Sequence, residues 1–213
     1  MAGDAPVVFT DRVDAGRRLA ARLDRFRHTD AVVVGIPRGG VPVAFEIAAA
    51  LGLELGVVVV RKLGVPFQEE LAMGAVAEGG VVVLDQSLVN YSGLTPAGIA
   101  ALRERERTEV DDRAALLHGR ARLDLAGRVV IAVDDGIATG ATARAACLAV
   151  RAGGAARIVM AAPVAPAGFR MDEADDVVCV AMPDRFFAVG SHYTDFAATT
   201  TDEVVSLLAR VHR

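Results

Sequence analysis

The run Val129-Val130-Ile131-Ala132-Val133-Asp134-Asp135-Gly136-Ile137-Ala138-Thr139-Gly140-Ala141-Thr142 decides how this chain reads. Five apolar residues make a buried strand. Two adjacent carboxylates stand at its carboxyl end. A turn of small and hydroxyl-bearing residues follows, and Ala143 to Ala152 reads as a helix. Loop amides and a helix amino end attract an anion. Carboxylates beside them can accept hydrogen bonds from sugar hydroxyls. The order of these parts suits a pocket for a sugar phosphate.

Apolar runs alternate with helical patterns on both sides of this segment. A helix is expected over Asp11–Phe26, a strand over Ala31–Val34, and a helix over Val41–Leu51 with Pro42 in its first turn. Leu55–Val60 reads as a second strand. Met73–Ala77 and Val81–Leu84 form a hairpin around Glu78-Gly79-Gly80. Thr95-Pro96 opens a long helix to Leu117. Strands over 157–162 and 177–181, a short helix near 166–173 and a last helix near 201–211 complete the pattern. Continuous apolar strands separated by helices predict an α/β fold. Its central sheet is mostly parallel and covered on both faces. One domain over 1–213 is expected, with a helical insertion near 95–120 and a hood near 182–200.

The 213 residues are 53% hydrophobic and carry a formal charge of −4. A chain of this length buries roughly 70% of its unfolded surface. The charge leaves no footprint for general nucleic-acid binding. No leader pattern and no apolar run near 18 residues occur, so a cytoplasmic protein without a membrane role is expected. Cys147 and Cys179 lie in apolar runs and read as buried hydrophobes rather than a disulfide.

Ligands of such sheets bind outside the carboxyl ends of the strands, where loops converge. Gly35-Ile36-Pro37-Arg38-Gly39-Gly40 offers close backbone approach and a guanidinium that can fork onto phosphate oxygens. Alone it could equally be an ordinary strand-to-helix turn. Arg61-Lys62 follows the second apolar run and opens a Gly/Pro-containing loop able to close over an anion; a solvated basic pair is the plainer alternative. Four of the chain's 8 Phe and 2 Tyr gather over 186–196. They could sandwich a flat ring or pack as a satellite cluster. His192 lies among them, while His28, His118 and His212 sit in polar or terminal contexts and read as solvated. Arg103-Glu104-Arg105-Glu106-Arg107 reads as a solvated helix face, within an extra flap or dimer element.

The 129–142 run resembles the signature of type I phosphoribosyltransferases, in which hydrophobics and two acids precede a TGxT turn. The resemblance covers roughly residues 30 to 190. It implies that Asp134 and Asp135 hold ribose hydroxyls and serve as metal ligands. Gly136, Ile137, Ala138, Thr139, Gly140, Ala141 and Thr142 would hold the 5-phosphate. Arg38, with Gly39 and Gly40, matches the pyrophosphate loop, and Arg61-Lys62 the start of the flexible catalytic loop. Glu78 falls where adenine phosphoribosyltransferases carry a catalytic Glu, though it also suits a turn residue. Phe186 and Val189 belong to a segment resembling the base-binding hood of hypoxanthine-guanine phosphoribosyltransferases. The oxopurine branch carries an Asp where this chain has Ala138, which speaks against hypoxanthine or guanine chemistry.

The resemblance implies transfer of a phosphoribosyl group from phosphoribosyl pyrophosphate (PRPP) to a nitrogenous base. Mg2+ would neutralise the pyrophosphate leaving group, and a homodimer would be the assembly. A non-catalytic PRPP sensor is the alternative. A metal-dependent sugar-phosphate hydrolase is a weaker third, since it has no special need of the TGxT cradle.

Overall fold

The computed structural model describes residues 8–118 and 123–211. The strands are Val32–Gly35 (β1), Glu54–Val57 (β2), Val60–Val65 (β3), Gln68–Ala77 (β4), Val81–Leu84 (β5), Val129–Val133 (β6), Arg157–Val164 (β7) and Asp176–Ala181 (β8). The helices are Arg12–Arg22 (α1), Gly40–Leu51 (α2), Gln86–Tyr91 (α3), Pro96–His118 (α4), Ala141–Ala152 (α5) and Thr201–Val211 (α6). No helix among the described residues is long and apolar enough to cross a membrane.

A wholly parallel sheet runs in the order β2-β1-β6-β7-β8. Its interior strands are buried on both faces, which is why they read as unbroken apolar runs. Successive side chains alternate between faces. Val33, Ile131, Val133 and Val159 pack with Leu19, Ile47 and Val204 of α1, α2 and α6. Val130, Ala132, Ile158 and Met160 pack with Ala146, Cys147 and Val150 of α5. Full burial of a side chain such as Ile131 stabilises the fold by roughly 1.5–3 kcal/mol. Register sets Gly35 beside Val133, so the chain leaves β1 and β6 at neighbouring points on one sheet edge.

Three expectations need correction. Leu55–Val60 is not one strand: β2 stops at Val57, and β3 begins a separate antiparallel sheet, β3-β4-β5. An apolar run alone does not reveal where a chain changes sheets. Arg61 and Lys62 therefore lie within a strand, not at the start of a loop. The expected helix near 166–173 is a series of turns and bends, where Gly168 adopts φ 71° and breaks helical propagation. The helix α3 was not anticipated; Asp85 nucleates it by accepting from the N–H groups of Ser87 and Leu88. As expected, Thr95 caps α4 by accepting from Gly98 N–H at 3.1 Å. Residues 119–120 of the expected insertion lie outside the described residues.

Candidate functional site

The loops after β1 and β6 are packed backbone to backbone. Ile36 N–H donates to the Val133 carbonyl at 2.8 Å. A Cβ on Gly40 would strike that same carbonyl. Gly40 thus lets the two loops close on each other beneath the site and does not line it. Above them lies a cavity of about 310 Å3, walled by residues 36–39, Val60, Lys62, 134–143 and Val189. Arg38, Gly39, Lys62, both acids and the whole 136–142 turn therefore converge, as the sequence predicted.

The turn leaves several backbone donors unpaired. Ile137 N–H is spent on the Val164 carbonyl at 2.9 Å. The N–H groups of Gly136, Ala138, Thr139 and Gly140 have no partner among the described residues. Successive unpaired amides of this kind form an anion-binding concavity. Gly140 precedes α5 with φ 82° and ψ −1°, a left-handed conformation that favours glycine, and a Cβ there would also come within 2.7 Å of the Phe169 ring. The buried Thr142 hydroxyl oxygen has no hydrogen-bond partner among the described residues. It stands in the first turn of α5, where the helix dipole favours negative charge.

The two acids are not equivalent. Arg12 donates Nε–H to Asp135 Oδ2 at 2.9 Å, and its Nη2 lies 2.8 Å from the same oxygen. Arg12 also donates to the Ala197 carbonyl at 2.7 Å and stacks 4.0 Å above the Phe196 ring. The Tyr193 hydroxyl donates to the Asp135 carbonyl at 2.6 Å. Asp135 is thus fastened from below, and Gly39 packs against it so closely that a Cβ there would fall within its carboxylate. Asp134 has no ion-pair partner among the described residues, and its Oδ1 accepts from Asp135 N–H at 2.9 Å. Burial first, and the neighbouring Asp135 carboxylate next, push the Asp134 pKa up to about 8. Burial also raises Asp135, against the pull of Arg12. Burial raises the Tyr193 hydroxyl too, so it stays protonated as a donor.

Three further predicted site residues stand apart. Side chains alternate along β3, so Lys62 reaches the cavity while Arg61 turns to Glu106 of α4, 2.7 Å away. Arg61 lines a neighbouring cavity of about 680 Å3 between β3 and α4, which Lys62 also borders. Glu78 is buried and shares a 2.6 Å hydrogen bond with His118, outside the acid cavity. His118 is therefore not solvated as expected; His212 lies outside the described residues. Phe186 stacks on His192, centroids 5.5 Å apart, in a small cluster around Phe9 and Tyr193. Of the aromatic segment, Val189 reaches the cavity: a Cβ on Gly136 would collide with it. Sequence reading missed Arg12 and the Tyr193 contact. Their partner lies 123 and 58 positions away, and no local pattern marks such a pairing.

Among the described residues no group of three or more His, Cys, Asp or Glu could hold a metal ion. With Asp135 Oδ2 committed to Arg12, the described residues of the site offer a divalent cation few oxygen ligands, which fits an ion that arrives on a polyphosphate better than one held by these residues alone.

Known proteins resemble this chain. Two curated relatives from Mycobacterium tuberculosis strains, provisionally named phosphoribosyl transferases, are each 50% identical over 214 residues. The alignments cover 97% of this chain and 47% of each relative, so the chain spans about half their length. The crystal structure of TT1426 from Thermus thermophilus matches with a TM-score of 0.76 and 39% identity, covering 95% of this chain and 98% of that one. The family model of the phosphoribosyl transferase domain matches residues 9–194, a span that holds the acid pair and Tyr193. The chain belongs to the phosphoribosyl transferase family.

Proposed function

We propose that this chain binds PRPP and transfers its phosphoribosyl group to a nitrogenous base, releasing pyrophosphate. The observation that carries the reading is the single cavity joining unpaired turn amides, the Asp134-Asp135 pair, Arg38 and Lys62. The 5-phosphate would sit in the 136–142 turn. Asp134 would accept from a ribose hydroxyl, and Asp135, fixed by Arg12, would hold the shape of the strand end. Arg38 and Lys62 would face the diphosphate and stabilise the charge that grows on it as the bond to ribose breaks. Mg2+, when bound, would neutralise the diphosphate, and Asp134 is the carboxylate best placed to touch it or its waters. Arg61 and Glu78 would act through their partners Glu106 and His118.

A second reading, a PRPP-binding protein without catalysis, is favoured by one observation. Glu78, the acid expected to exchange a proton with the base, is buried against His118 away from the cavity. One experiment separates the readings: the protein is incubated with PRPP, Mg2+ and a panel of purines and pyrimidines, and products are read by mass. A nucleoside monophosphate from one base supports the transferase. PRPP binding by calorimetry with no product supports the sensor. No binding at millimolar PRPP overturns both.

A further inference from the structure

Glu106, Val110, Arg113 and Leu117 follow one another at four- and three-residue steps along α4, the spacing of one helix face. Glu106, Val110 and Leu117 are buried, so this is the face turned to the sheets, and Arg113 sits half-buried upon it. Glu106 spends its carboxylate on Arg61 at 2.7 Å and on Arg105 at 2.8 Å. The Arg113 side chain has no hydrogen bond or ion pair among the described residues, and neither has that of Arg38. The two arginines border one cleft of about 250 Å3, together with Glu109, Asp112, Leu117 and Val204. Neither of its carboxylates forms an ion pair with Arg113. Arg38 also lines the acid cavity, so cleft and cavity share this residue.

An arginine on the inward face of a helix, beside other cations and with no carboxylate in ion-pair contact, is costly. Burial first, then Arg61 and Arg38, hold its pKa below the usual guanidinium range, and the opposing pull of Glu109 is the smallest influence. The guanidinium still stays charged. A multiply charged anion between Arg38 and Arg113 turns that repulsion into attraction, because guanidinium groups fork onto phosphate oxygens.

We propose that Arg113 of α4 joins Arg38 in holding the diphosphate end of the ligand, so that the long helix is part of the binding site. The inference rests on the PRPP reading of the acid cavity and adds a residue to it.

The test titrates inorganic pyrophosphate with Mg2+, and ribose 5-phosphate separately, into the folded wild-type protein and its Arg113→Met variant by calorimetry. Arg113→Met is expected to weaken pyrophosphate binding by about tenfold or more while ribose 5-phosphate binding stays within about twofold. Arg103→Met, the same charge change at an exposed position of α4, is expected to leave both unchanged. Equal pyrophosphate affinity in wild type and Arg113→Met, or an equal loss in Arg103→Met, overturns the role of Arg113 while leaving the cavity reading intact. A wild-type protein that binds neither ligand overturns both. Should Arg113→Met fail to fold, Arg113→Lys decides: a loss of about threefold for pyrophosphate alone supports the assignment, and no change overturns it.

Discussion

Arg12 and Asp135 meet across 123 positions of sequence, with Nε and Nη2 of the guanidinium 2.9 and 2.8 Å from one carboxylate oxygen. The contact joins the first helix to the end of the central strand. It converts one acid of the pair into a fixed support and leaves the other facing the cavity.

Removing that cation strands a half-buried carboxylate. Arg12→Gln is expected to lower unfolding free energy by about 2 kcal/mol, read by urea denaturation. Adding Asp135→Asn should recover part of this, with a coupling of about 1 kcal/mol in a double-mutant cycle. Strict additivity of the two substitutions would show that the ion pair contributes nothing.

Gly39 tests the site with a single methyl group. A Cβ there would displace the Asp135 carboxylate. Gly39→Ala is expected to cost about 1–3 kcal/mol and to reduce ribose 5-phosphate binding measured by calorimetry. Wild-type stability and affinity would mean that the carboxylate can move aside freely.

Asp134 should oppose stability while serving the ligand. Its pKa is raised in the folded state, so ionising it penalises folding as pH climbs from the ordinary aspartate range toward about 8. Asp134→Asn should therefore melt higher than wild type at pH 8, with the gap closing near pH 4, and should bind ribose 5-phosphate more weakly. A lower melting temperature at pH 8 would contradict the assigned burial.

Glu106 works with the opposite sign. Burial acts to raise its pKa, but hydrogen bonds from Arg105 and Arg61 and their charges outweigh this and lower it. A lowered carboxylate adds stability above the ordinary glutamate pKa and loses it as pH falls through the folded value. Glu106→Gln should be less stable than wild type at neutral pH and flatter in its acid dependence, as followed by thermal melts between pH 7 and 3. Parallel curves for the two proteins would remove Arg61 and Arg105 as the cause.

Much of this was legible in order of chain. The β6 run, the acid pair and the turn into α5 are local features. Strand period, helix caps and an amide-rich turn are each written within a few residues. What stayed hidden needed long-range geometry. Val58-Val59 carries no mark that the chain changes sheets there, so sequence places Arg61 and Lys62 side by side at the ligand, whereas of the two Lys62 alone lines the acid cavity and both border the cavity beside α4. The same holds for Glu78 with His118 and for Arg12 with Asp135. The alternating charges of α4 look solvated in sequence, yet Glu106 is 5% exposed because two arginines neutralise it.

The hydrogen bond from Tyr193 to the Asp135 carbonyl has a practical consequence. The chain contains no tryptophan and 2 tyrosines. Tyr91 is 64% exposed, and Tyr193 is wired to the strand end beneath the pocket. In Tyr91→Phe a single tyrosine remains. Its ultraviolet emission is expected to change when ribose 5-phosphate is titrated in, which would make it an optical gauge of the acid pair with no dye or label attached.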